Sequence, residues 1–168
     1  MIKHVTASAF VFHRGEAGWR TGLIRHPIFD RWLMPGGHVE DDENPQQSVV
    51  REVVEETGLE GVRLWSPPSP LPAVPDSETA THVAMPLWIV EHPVPDGDNH
   101  LRETHVHVDH KYLAIADDPT PRHTPDHPFA WYTQDDLATL HTFDDIRHHL
   151  GVLFPAVDGL AAELSNAS

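Results

Sequence analysis

Glu52, Glu55 and Glu56 stand at spacings i, i+3 and i+4. At 100° per residue a helix would bring all three into one arc of about 100°. Like charges at these spacings destabilise a helix. Glu55 and Glu56 would also sit in the last turn, where the helix dipole disfavours anions. Several local rules broken together mark a functional position. A divalent cation resolves the conflict, because Mg²⁺ and Mn²⁺ take hard oxygen ligands and Mg²⁺ is commonly held by one or two carboxylates together with substrate phosphates. The other reading is a solvated acidic face. The Gly36-Gly37 pair upstream favours the cation, since glycine lets backbone approach a ligand closely.

The element that must present these carboxylates is well marked. Asn44 suits an N-cap, Pro45 the first helical position, Gln47 the third residue of a capping box, and Gly58 the left-handed position that ends the helix. The pattern predicts a helix over 45–57, with Val49, Val50, Val53 and Val54 as its core face over an arc of about 140°. Around it, β-branched and aromatic runs predict strands over 5–12, 19–25, 62–65, 81–91 (interrupted at Pro86), 105–116 and 129–131, with a hairpin turn over 15–18 and a short apolar piece over 32–34. The proline-rich stretch 66–75 reads as a stiff loop rather than a ligand for a proline-binding module. Residues 92–103 and 117–128 read as loops. Thr133 is placed as the cap of a helix through 140, and another helix over 143–154 follows. Strands, one helix, more strands and terminal helices make an α+β fold with a mixed sheet.

The chain has 168 residues and no cysteine, with 26 acidic against 11 Lys and Arg side chains, a formal charge of −15. That length fits one domain, over 1–168. The absence of cysteine excludes thiol catalysis and disulfide scaffolds, and the acidic balance argues against duplex nucleic acid and anionic membranes as partners. No run reaches transmembrane length, and the Ala7-Ser8-Ala9 triplet lies inside its apolar run rather than after it, so a signal peptide is not read and a cytoplasmic location is expected.

Gly37, Glu43, Arg51, Glu52, Val53, Glu55, Glu56, Gly58 and Leu59 fall where the Nudix box GX5EX7REUXEEXGU asks for them, U being a bulky aliphatic. The lead-in from Trp32 to Glu40, and Phe129-Ala130-Trp131-Tyr132 followed by Gln134-Asp135-Asp136-Leu137, are similar to the family's flanking segments. The chain resembles a Nudix hydrolase over about residues 3–155. The resemblance implies an α/β/α sandwich with the box helix on a mixed sheet. It implies hydrolysis of a diphosphate linkage in a nucleotide or nucleotide derivative, with Mg²⁺ or Mn²⁺ held by Glu52, Glu55, Glu56 and the Gly36 carbonyl. Glu43 and Arg51 would pair and orient the helix, and one carboxylate, or a base outside the box, would activate water. A homodimer is a family-level expectation. Two alternatives remain: a non-catalytic ligand-sensing domain, and RNA 5′-end hydrolysis, for which the charge offers no basic groove.

Outside the box, Glu103 is the first candidate for a further acidic ligand or base, with Glu91, Asp96 and Asp98 as rivals. At strand period two, His105, His107 and Asp109 share a face. They could hold a transition metal, contact substrate, or form a polar strand face of satisfied histidines. If His105 and His107 line the active site, that face must point toward the glutamate helix. Arg25, at the end of the second strand, is a further candidate substrate contact.

Overall fold

The computed structural model describes residues 1–69, 71–72 and 74–166; Pro70 and Ala73 of the proline-rich stretch and the Ala167-Ser168 end of the chain lie outside the described residues. The elements are β1 (Ile2–Gly15), β2 (Gly18–His26), β3 (Arg31–Leu33), β4 (Gly36–His38), α1 (Pro45–Thr57), β5 (Arg63–Trp65), β6 (Trp88–Val94), β7 (His105–Ile115), β8 (Phe129–Tyr132), a 3-10 turn (Asp135–Ala138) and α2 (Asp144–Asn166). β1 is the central strand. It pairs in parallel with β7 from Ile2 beside His105 to Phe12 beside Ile115. Its other side pairs antiparallel with β4 at Thr6–Ser8 and with β2 from Val11 onward. β6 and β5 pair antiparallel with β7, and β3 and β8 with β2.

The alternation of the two central strands builds two cores. Ala7, Ala9 and Val11 of β1, with Tyr112 and Ala114 of β7, meet Val49 and Val53 of α1 and Leu59. The small alanines let the helix lie close. Phe10 and Phe12, with Leu113 and Ile115, meet Leu150, Leu153, Phe154 and Val157 of α2 on the opposite face. The result is an α+β sandwich, a mixed sheet between two helices. Val49 and Val53 are fully buried, and each contributes about 1.5–3 kcal/mol through that burial.

Several expectations change at the edges. The inward face of α1 runs through Val49, Val53 and Glu56, while Val50 is exposed. The helix is rolled toward its carboxylate side, so a glutamate takes a place that the apolar pattern assigned to valine. The sixth strand begins at Trp88 rather than 81, and ends at Val94. It accommodates Pro93 because β6 pairs only with β7 and lies at an edge, where a missing N–H faces away from the ladder. Thr133 does not cap a helix. Its N–H and hydroxyl both donate to Asp136 Oδ2, at 2.7 Å each, and only a 3-10 turn follows. α2 continues through Pro155 to Asn166, held on both sides of the proline by buried Phe154 and Val157. Among the described residues no helix is long and apolar enough to cross a membrane.

Candidate active site

α1 begins and ends where its residues dictate. Asn44 accepts from the Gln47 N–H and the Gln47 side chain accepts from the Asn44 N–H, both at 3.0 Å. Gly58 closes the helix at φ 71°, a left-handed conformation suited to glycine. The loop 117–128 docks on this end. The Arg122 N–H donates to the Gly58 carbonyl at 2.7 Å and the Asp126 N–H to the Glu55 carbonyl at 3.1 Å, occupying acceptors that a helix terminus leaves open.

β4 runs beside the helix, and its glycines are required. A Cβ on Gly37 would lie 2.4 Å from Glu52 Oε1, and one on Gly36 would lie 2.5 Å from the Ala7 carbonyl. The Gly36 N–H donates to Glu56 Oε2 at 2.8 Å. The carboxylates of α1 therefore meet backbone that no side chain screens.

Arg51 is the hub of the charged face. Its Nε and Nη2 donate to the two oxygens of Glu43 at 2.7 and 2.9 Å, a bidentate pair. Nη1 reaches Glu52 Oε1 at 2.7 Å and Glu55 Oε2 at 3.0 Å, and Nη2 also reaches the His38 carbonyl at 3.1 Å. These bonds hold the Glu43 carboxyl below its ordinary range and raise the Arg51 pKa. A lysine cannot reproduce this planar fork. Arg51→Lys is expected to cost about 2 kcal/mol, a fall in melting temperature of about 4–8 °C. An unchanged thermal melt would show that the hub does not hold the helix.

Glu56 is 8% exposed. Burial, with Glu52, Asp126 and Glu55 nearby, pushes its carboxyl up to about 8 against the opposing Gly36 N–H. Burial likewise raises Glu52, despite Arg51. His127 Nε2 lies 3.3 Å from Glu56 Oε1. The sequence reading missed Asp126 and His127; they sit in a long loop with no motif, and only its docking on α1 brings them in.

Other candidates fall elsewhere. The odd-numbered face of β7 that carries His105, His107 and Asp109 continues into Leu113 and Ile115 of the α2 core. It does not point toward α1, as an active-site role for the histidines required. In register His107 stands beside His4, whereas Gly36 stands beside Ser8, four residues or about 13 Å along β1. Asp109 accepts from Ser8 Oγ at 2.8 Å and Thr6 Oγ1 at 3.3 Å instead of joining the histidines. They meet Asp98 and His38. Burial and the neighbouring His100 and His107 push His38 down to about 4. Against the cost of burial, the Leu101 and His100 N–H groups and His107 hold the Asp98 carboxyl well below the usual range. Glu103 is exposed, and its carbonyl accepts from His105 Nδ1 at 2.8 Å. Arg25 Nε is given to Asp30 at 2.6 Å, although its N–H donates to the Pro128 carbonyl at 2.8 Å, next to His127.

A mixed sheet between two helices, with a capped glutamate-bearing helix set against a glycine strand, defines the Nudix class. The chain belongs to the Nudix hydrolase family: the NUDIX domain pattern matches residues 3–150. A hydrolase of the NUDIX family from Clostridium perfringens superposes with TM-score 0.68 at 20% identity, over 94% of this chain and 99% of that one. The Caenorhabditis elegans Ap4A hydrolase gives 0.55 at 15%, over 89% and 94%. Among curated proteins, mouse diphosphoinositol polyphosphate phosphohydrolase 3-alpha is 51% identical over 37 residues, 22% of this chain and 21% of that protein. The RNA pyrophosphohydrolase of Bartonella tribocorum is 37% identical over 57 residues, 31% and 33% respectively. The chain thus matches about a fifth to a third of the length of these curated relatives.

Proposed function

We propose that the chain hydrolyses a phosphoanhydride bond in a nucleotide or nucleotide derivative, with Mg²⁺ or Mn²⁺ as its cofactor. The observation that carries this reading is the convergence of Glu52 and Glu56, both raised in pKa, on the glycine backbone of β4. Carboxylates crowded in this way form a hard, all-oxygen donor set that a small dication suits. Glu52, Glu55 and Glu56 would hold the ion, with the Gly36 carbonyl as a further ligand. When bound, such an ion polarises phosphate oxygens and neutralises their charge.

The protein's own groups do the rest. The Arg51–Glu43 pair fixes the rotation of α1. The Gly36 N–H orients Glu56 through Oε2, leaving Oε1 beside His127 Nε2. That imidazole is the base outside the carboxylate set best placed to take a proton from the attacking water. The names of the structural and curated relatives, an Ap4A hydrolase, an RNA pyrophosphohydrolase and a diphosphoinositol polyphosphate phosphohydrolase, support the class of bond.

The test is a panel of nucleoside di- and triphosphates, ADP-ribose, NADH, dinucleoside polyphosphates, sugar nucleotides and a 5′-triphosphate RNA. The nucleotide products of each reaction are separated and quantified, with Mg²⁺ and with Mn²⁺. Turnover of at least one small nucleotide is expected. Binding without turnover across the whole panel would favour a sensing domain and overturn the hydrolase reading. Turnover of the RNA alone would overturn the small-molecule assignment.

A further inference from the structure

We propose that His38, Asp98, His105 and His107 form a second metal site, built for a tetrahedral transition-metal dication of the Zn²⁺ class and separate from the carboxylates of α1. The four come from three elements. His38 ends β4, His105 and His107 share the face of β7 turned away from α1, and Asp98 lies in the loop between β6 and β7. Their ligand atoms all lie within 4.8 Å of one another. Asp98 Oδ2 stands 2.9 Å from His107 Nε2, 3.2 Å from His105 Nε2 and 3.4 Å from His38 Nε2, and the two β7 nitrogens are 3.0 Å apart. Four ligand atoms held tetrahedrally about 2.0–2.1 Å from one ion lie roughly 3.3–3.4 Å from each other.

The hydrogen count also asks for a cation. The Glu103 carbonyl only accepts, so the His105 ring hydrogen sits on Nδ1, which donates to it at 2.8 Å. A neutral His105 then aims the Nε2 lone pair at a carboxylate oxygen and at a second imidazole nitrogen. His105 is fully buried, so water cannot relieve this. His38 Nε2 is buried without a hydrogen-bond partner. Lone pairs facing one another around a common point are what a metal ion satisfies. The outward bond from Nδ1 to a carbonyl is the support that ligating histidines ordinarily have.

The fourth ligand is set in place. Asp98 Oδ1 accepts from the His100 and Leu101 N–H groups at 2.8 Å each, leaving Oδ2 to the imidazoles. Gly97 allows this turn at φ 71°, where a Cβ would lie 2.3 Å from the Arg102 carbonyl. Three nitrogens and one oxygen suit Zn²⁺ rather than Mg²⁺, which prefers six oxygens. With all four positions filled by protein the site is a brace, tying the loop after β6 to β7 and to the strand that leads into α1.

The inference does not depend on the proposed hydrolysis. The experiment uses the full chain carrying Glu52→Gln, Glu55→Gln and Glu56→Gln together, stripped with chelator, and titrates it with Zn²⁺ and Co²⁺. One equivalent of Zn²⁺ should bind with a rise in melting temperature, and Co²⁺ should show the intense visible bands of tetrahedral coordination. Adding Asp98→Asn or His107→Ala should weaken Zn²⁺ binding at least tenfold. Should His107→Ala fail to fold, Asp98→Asn, changed only on a loop, decides alone. The proposal is overturned if the Glu-substituted chain binds no Zn²⁺, if the Co²⁺ bands are those of octahedral coordination, or if Asp98→Asn leaves the affinity unchanged.

Discussion

With EDTA in molar excess, hydrolysis of the substrate should fall to the uncatalysed background, a loss of at least a thousandfold. The site offers a polyanion no attraction of its own. Arg51 commits its guanidinium donors to Glu43, Glu52, Glu55 and the His38 carbonyl. What then faces a phosphate is carboxylate. One like-charge contact at 4 Å costs about 4 kcal/mol at the effective dielectric of a partly exposed site, or about three powers of ten. Adding back Mg²⁺ alone should restore turnover, which separates the carboxylate ion from any Zn²⁺ held at His38, Asp98, His105 and His107. Undiminished hydrolysis in chelator would remove the metal from the mechanism.

Glu56→Gln should lower kcat by ten- to a hundredfold or more while strengthening the metal-free fold. Loss of an ion ligand gives the first effect, and Glu55→Gln should behave alike in activity. The second follows from proton linkage. The Glu56 carboxyl moves from an ordinary 4.5 to about 8 on folding, so between these values the folded chain holds more protons than the unfolded one. Stability of the chelated protein must therefore fall as pH rises through about 4.5 to 8, by on the order of 5 kcal/mol in total. Glutamine cannot ionise, so the variant should lose that slope and melt higher than wild type near pH 8. The check is a series of thermal melts in EDTA from pH 5 to 8. Parallel curves for the two proteins would refute the buried, uncompensated carboxylate.

What the sequence made legible is what depends on neighbours along the chain. Asn44, Gln47 and Gly58 set the bounds of α1, because caps are encoded within a few residues of the ends. The family resemblance implied that Glu43 and Arg51 pair, and the structure shows that pair as bidentate. What escaped depends on segments meeting from afar. Nothing within 117–128 signals that Asp126 and His127 close on Glu56, because that follows from two backbone bonds to the end of α1. The strand period correctly put His105, His107 and Asp109 on one face, but could not say which face. Nor could it say that Ser8 and Thr6 would take Asp109 while a loop aspartate took the histidines. The displaced start of β6 has a similar cause. Thr81 to Met85 alternate like a strand but pair with no strand among the described residues, and Val83 and Met85 remain exposed.

The pairing of β1 with β7 also shapes how the chain reaches this structure. Partners in that ladder are 103 residues apart, as at Thr6 and Asp109, so the central contact of the sheet is among the last a growing chain could form. Closing so long a loop costs entropy before any contact repays it, and such topologies fold slowly. During synthesis β1 can zip only with β2 and β4, leaving one edge of an apolar strand open until residue 105 and beyond have emerged. Such an open edge is a template for wrong pairing with another copy, and α1 cannot settle fully on Tyr112 and Ala114 until it is filled. Assembly of the glutamate site thus waits on a strand that carries none of its carboxylates.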